Sequence, residues 1–133
     1  MKTIFTKIIN GELPSHNVAE DDNNIAILDI NPNSLGHTLC IPKIQVDKIF
    51  DLSIDDFNSL MGFSYKVAKA INKNVKCKRV AISVIGLEVP HVHVHLIPIN
   101  IMADANFSNK VKMTKNEFIS TAKIIEDSYN NLH

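Results

Sequence analysis

Apolar and polar positions alternate strictly near residue 90. His91, His93 and His95 are interleaved with Val92, Val94 and Leu96, between Pro90 and Pro98. A period of two, carried largely by β-branched residues, predicts a strand over residues 89–99. Residues two apart on a strand share a face, so the three imidazoles point one way and the three aliphatic side chains point into the core. The same pattern predicts a strand over residues 24–30, with Ile25, Ile27 and Leu28 apolar, and others over 37–41 and 79–85. Asn31-Pro32-Asn33-Ser34 forms a turn closed by Gly36, and Gly86 is expected to turn a short antiparallel hairpin into the histidine strand. The period lengthens after Ser53-Ile54-Asp55-Asp56, which resembles a capping box. It predicts a helix to about Asn74, with Phe57, Leu60, Met61, Ser64, Ala68 and Ile71 inward. A second capping box, Thr114 to Glu117, opens a C-terminal helix with Phe118, Ala122, Ile125, Tyr129 and Leu132 on one face. The expected fold class is α+β: an antiparallel sheet with one long and one C-terminal helix packed on it.

Composition narrows the field. The chain of 133 residues is 45% hydrophobic and 21% charged, as expected of one globular domain spanning 1–133. Lys plus Arg balances Asp plus Glu, so no net field draws in nucleic acid or an anionic membrane. The local cluster Lys66, Lys69, Lys73, Lys76, Lys78 and Arg79 reads as the basic end of the long helix, which suits its dipole. Cys40 and Cys77 are isolated and form neither a disulfide framework nor a CxxC site. Cys40 is expected in the core. Lys7 interrupts the apolar start, which argues against a signal peptide, and no apolar run approaches membrane-spanning length. The expected location is cytoplasmic.

Three aligned imidazoles support two chemistries. A His-x-His pair can chelate zinc, but the outer two Cα atoms are about 13 Å apart on an ideal strand, so one ion cannot gather all three. Phosphorus chemistry uses all three without a metal: the middle imidazole attacks, and its neighbours hold phosphoryl oxygens or move protons. An incidental histidine strand is the plain alternative.

The run His91–Pro98 resembles the signature of the histidine-triad (HIT) family, in which three histidines alternate with apolar residues. The likeness extends through Ile4-Phe5-Thr6-Lys7-Ile8-Ile9-Asn10-Gly11-Glu12, Glu20-Asp21-Asp22, Leu28-Asp29-Ile30-Asn31-Pro32, Gly36-His37-Thr38-Leu39-Cys40-Ile41-Pro42-Lys43 and Ile49-Phe50-Asp51-Leu52, in family order. From Asn100 onward there is no general family pattern. The resemblance implies a HIT-like fold, a homodimer and a purine nucleotide substrate. It implies His93 as nucleophile, His95 on the phosphoryl oxygens, and His91 and His37 completing a hydrogen-bonded set. It also implies Asp29 on the ribose hydroxyls, and Ile4, Phe5, Ile8 and Ile30 around the base. His16 and His133 receive no role.

The departures matter as well. Many members hold a structural zinc through a Cys-x-x-Cys pair and a later histidine. Here those positions are Thr3, Thr6 and Gln45, poor zinc ligands, so no metal and no cofactor is expected. Leu87 and Glu88 stand where many members have Gln and then Ser or Thr before the triad, and Ile99 where some have Arg. On a continuing strand Glu88 would face the core. The resemblance is strongest to the nucleotide-binding (Hint) type, a hydrolase cleaving nucleoside phosphoramidates or related conjugates through a nucleotidyl-histidine. The alternatives are dinucleoside polyphosphate hydrolysis and a regulatory nucleotide-binding module with weak turnover.

Overall fold

The structure is a computed structural model that describes residues 1–132. A five-stranded antiparallel sheet runs in the order β1-β2-β3-β5-β4, built from β1 (Asn17–Glu20), β2 (Asn24–Leu28), β3 (Thr38–Pro42), β4 (Arg79–Ser83) and β5 (Val94–Ile99). Helices α2 (Ile54–Asn74) and α3 (Lys115–Asn130) cover one face, and the short α1 (Ile4–Ile9) packs on the other.

Alternation explains how β2 and β3, buried along their whole length, serve both faces. Ala26, Leu28 and Cys40 join Val92, Val94 and Leu96 beneath the helices. Ile25, Ile27, Leu39 and Ile41 join Phe5 in a smaller cluster on the opposite face. That second face carries the histidines.

Both helix starts follow the sequence. The Ser53 side chain accepts from the Asp56 backbone N–H at 3.1 Å, and Thr114 and Glu117 form a reciprocal capping box. The inward face of α2 is rotated from the expected stripe. Phe63, Val67 and Ala70 are buried with Leu60, Ser64 and Ile71, whereas Phe57, Met61 and Ala68 lie at the margins. The helix packs against both the sheet and α3, so its apolar arc is wide and its centre is set by tertiary contact. In α3, Phe118, Ala122 and Ile125 are buried as expected, with Tyr129 and Leu132 packed beside them.

Three strand boundaries differ from expectation. Strand β2 ends at Leu28 because the chain turns at Asp29, whose carboxylate accepts the Asn31 N–H at 2.8 Å. The histidine strand enters the ladder only at Val94. Pro90 has no N–H to offer, His91 N–H turns back to the Val89 carbonyl, and Val92 N–H goes to Val46, so the chain bends at residues 89–91 and residues 89–93 stay outside the ladder. Finally, Ser83 pairs with His95, which makes residues 84–93 a long connection instead of a tight hairpin. Gly86 still turns there, at φ +70°.

Gly36 has a steric reason to be glycine. It lies at φ +95°, and a Cβ there would meet Val75 Cγ2 at 3.0 Å and Pro98 Cγ at 3.2 Å. It returns the chain so that Asp29 N–H donates to the His37 carbonyl at 2.9 Å, closing the loop that bears both residues.

Candidate active site

The three histidines share a face as the alternation predicts, but they are not surface-facing. His91 is 0% exposed, and His93 and His95 are each 8% exposed. What each ring can do follows from which nitrogen is already engaged.

His93 Nδ1 lies 2.8 Å from the His91 backbone carbonyl. A carbonyl only accepts, so Nδ1 carries the proton and Nε2 keeps its lone pair. Phe5 packs edge-on against this ring at 5.0 Å between centroids and against His91 at 5.8 Å.

The His95 end is a relay. Asn33 N–H donates to His37 Nδ1 at 2.9 Å, so the His37 proton sits on Nε2. His37 Nε2 lies 3.0 Å from His95 Nδ1 and donates to it, which leaves His95 Nε2 protonated and free to donate onward. Burial is the main reason His37 is pushed down to about 3 and His95 to about 4, with the positive neighbours adding to it. Both rings are therefore neutral near pH 7. The approach of Asp29 Oδ2 to His37 Nε2 at 3.6 Å is accordingly not an ion pair, and it is long for a hydrogen bond. Burial raises the Asp29 carboxyl, against the Asn31 N–H and the Lys110 charge.

The His91 end is closed. Its Nε2–H donates to the Pro42 carbonyl at 2.8 Å, so Nδ1 accepts the Thr3 hydroxyl at 2.8 Å. The Thr3 oxygen also accepts Thr6 N–H, the N-cap contact that starts α1. Thr6 Oγ1 donates to Gln45 Oε1 at 2.7 Å, and Thr3 N–H reaches the same oxygen at 3.2 Å. The residues at the family's zinc positions thus converge and satisfy one another as hard, neutral hydrogen-bonding groups. They do not fit zinc, whose structural sites use thiolate and imidazole.

Another trio, Asp29, His37 and His95, has ligand atoms within 4.8 Å of one another. Metal at His37 Nε2 would require the proton on Nδ1, the nitrogen that already accepts Asn33 N–H. The donor set is committed to the proton relay.

A cavity of about 650 Å³ opens over His93 and His95. Phe5, Ile8, Ile27 and Leu39 form its floor, and Ile4 and the 75% exposed Ile30 its rim. Ile4 and Ile30 are therefore cavity wall and not core, while Phe5 is both. Asp29 borders the cavity, whereas His91 and His37 stand behind the lining. Glu88 corrects the expectation that it faces the core: with no strand at that point, it is exposed and borders the cavity with Gly86 and Leu87. A second cavity of about 570 Å³, bordered by Lys48, Phe50 and Asp51, shares His93 and residues 85–87 with the first.

No sequence pattern marks Asn33, Phe107 or Lys110 as site residues. Asn33 lay in a recognised turn, but its N–H contact to His37 has no sequence signature. Phe107 packs edge-on to His95 at 4.8 Å, and Lys110 Nζ lies 5.1 Å from the Phe107 ring centroid. Both arrive on an irregular segment without periodicity.

Comparison with known proteins agrees with this geometry. The HIT domain family model matches residues 10–101. An uncharacterized HIT-like protein of Methanocaldococcus jannaschii is 41% identical over 101 residues, covering 71% of this chain and 77% of the relative. The adenosine 5'-monophosphoramidase hnt1 of Schizosaccharomyces pombe is 40% identical over 101 residues, covering 74% of each chain. The crystal structure of a hypothetical histidine triad nucleotide-binding protein of Sulfolobus tokodaii superposes with a TM-score of 0.85 at 33% identity, covering 96% of this chain and 92% of that one. With a five-stranded antiparallel sheet, the ordered histidines and these matches in agreement, the chain belongs to the HIT family, and is of its nucleotide-binding Hint type.

Proposed function

We propose that this chain is a hydrolase that cleaves nucleoside phosphoramidates, or related nucleotidyl conjugates, to the nucleoside monophosphate. The observation that carries the reading is the tautomer of His93: Nδ1–H is held by the His91 carbonyl, and the ring that retains the Nε2 lone pair borders the cavity. In the first step Nε2 attacks the α-phosphorus, an N–P bond forms, and the bond to the leaving group breaks as that group takes a proton from water. His95 Nε2–H donates to a phosphoryl oxygen. In the second step water attacks phosphorus, the N–P bond breaks, and the monophosphate leaves with His93 restored. Asp29 accepts from the ribose hydroxyls, and Ile4, Phe5, Ile8 and Ile30 hold the base. His37 and His91 position their neighbours. No metal or cofactor takes part.

The test is incubation of the purified protein with an adenosine phosphoramidate, followed by denaturation and a search for labelled nucleotide on the chain. Wild type should turn over and be trapped, and His93→Ala should do neither. Label retained on the alanine variant would overturn the assignment. A second reading, a nucleotide-binding module with weak turnover, draws support from Leu87 and Glu88 on the cavity wall, where polar phosphate contacts are lacking. Binding of a monophosphate without turnover of any conjugate would favour it.

The same reading takes residues 1–133 as one domain working in the cytoplasm as a homodimer. Support for pairing comes from β4, an edge strand with exposed Ile82. Light scattering should give twice the chain mass. Cys40 and Cys77 are free, as in a reducing compartment, and no described helix is long and apolar enough to cross a membrane.

A further inference from the structure

Residues past the matched family span close one side of the cavity. After β5, a 3₁₀ turn (Met102–Ala105) leads into an irregular strap tied to the loop that carries Asp29 and His37. Asn33 Nδ2 donates to the Asp104 carbonyl at 3.1 Å, Val111 N–H donates to the Pro32 carbonyl at 3.0 Å, and Lys110 Nζ donates to Asn33 Oδ1 at 2.8 Å. The strap thereby places an aromatic ring and an ammonium on the cavity wall.

Lys110 is anchored but not used up. An ammonium has three donors, and Asn33 takes one. The Phe107 face holds the charge in place from the side. It lines the cavity with Asp29 and His95, and these two and His37 all feel its charge. With His37 and His95 neutral, Lys110 brings a fixed positive charge to that side of the cavity. The same cavity is also lined by Leu87 and Glu88, which offer an anion nothing.

We infer that Lys110 is a specificity-determining residue that binds a second phosphate of the nucleotide, in addition to the α-phosphate. The inference rests on the nucleotide reading above. Two sources share this chemistry: a phosphate on a ribose hydroxyl and a β-phosphate. Lys110 shares the cavity lining with Asp29 and is tied to Asn33 in the turn that follows it, which favours the ribose side.

The experiment is calorimetric titration with AMP, adenosine 3′,5′-bisphosphate and ADP, for wild type, Lys110→Gln and Lys110→Arg. Wild type should bind the bisphosphate about tenfold more tightly than AMP, equivalent to about 1.4 kcal/mol. That advantage should shrink with added salt. Lys110→Gln removes the charge and keeps a neutral amide donor at that position, and it should abolish the advantage; Lys110→Arg should keep it. An advantage for ADP in place of the bisphosphate, lost in the same variant, supports the lysine and assigns the β-phosphate as its ligand. Equal affinity of wild type for all three, or an advantage that survives Lys110→Gln, overturns the inference while AMP binding leaves the nucleotide reading standing. Failure to bind any of the three overturns both.

Discussion

The two outer histidines of the triad come from the same alternation, face the same side of the sheet and are both buried, yet they are wired differently. Both ring nitrogens of His91 are consumed by protein, one by Pro42 and one by Thr3. His95 Nδ1 accepts a hydrogen bond from His37 Nε2–H on one side, and the ring presents an N–H to the cavity on the other. The difference lies in what each ring rests on. Beneath His91 is the start of α1; beneath His95 is the loop between β2 and β3. One end fixes the His93 tautomer, because the His91 carbonyl holds its Nδ1–H, and the other opens to the cavity where the proposed reaction takes place.

That contrast can be broken. In the proposed reaction His95→Ala removes the donor to a phosphoryl oxygen, so kcat should fall by about 10²–10³-fold with the fold intact. Thr3→Val acts at the closed end. It strands the buried His91 Nδ1, at a cost of about 1–3 kcal/mol in stability, visible as a lower Tm. Its effect on kcat should be smaller than that of His95→Ala, and Thr3→Ser should restore both properties. Equal kinetic losses from the two variants would mean that the ends are not distinct.

Acid sharpens the same comparison. His37 and His95 lie at about 3 and about 4 in the folded chain, below the usual 6.5 of an exposed histidine. Between those values the unfolded chain binds protons that the folded chain refuses. Stability is therefore full above about pH 6.5 and is lost as pH falls toward 4. His37→Gln should flatten this part of the Tm-against-pH curve. The smallest expected effect is that of a chelator. With Thr3, Thr6 and Gln45 engaged with one another, activity and Tm should not change, and elemental analysis should find substoichiometric zinc. A stoichiometric metal whose removal lowers Tm would mean that the closed end is held by an ion.

Sequence made the shared histidine face and both long helices legible because each repeats a physical period. Val92, Val94 and Leu96 are in the core for the reason the alternation gives. The same period concealed where the ladder begins, since the alternation runs on through residues 89–93, which bend and lie outside the ladder. Helix α1 went unread because six residues hold too little of a helical period, although its Thr3 cap was a substituted family position. The roles of the rings were not legible either. They depend on Asn33, Pro42 and Thr3, groups far from their histidines in sequence or hidden in backbone. Phe107 and Lys110 had no pattern to betray them and are placed by the ties of the strap to Pro32 and Asn33.

The pairing of β3 with β5 has a kinetic meaning. It joins Leu39 to His95 and brings His37 to the triad across a separation of 58 residues, whereas β2 and β3 meet through a short loop. Closing the long loop carries the larger entropic penalty, and contacts of that kind slow folding. A refolding chain can assemble the β2–β3 meander, and even α2, while His95 still lacks His37. Recovery of turnover should therefore lag behind recovery of far-UV circular dichroism, making catalysis a clock for the moment the two halves of the sheet join.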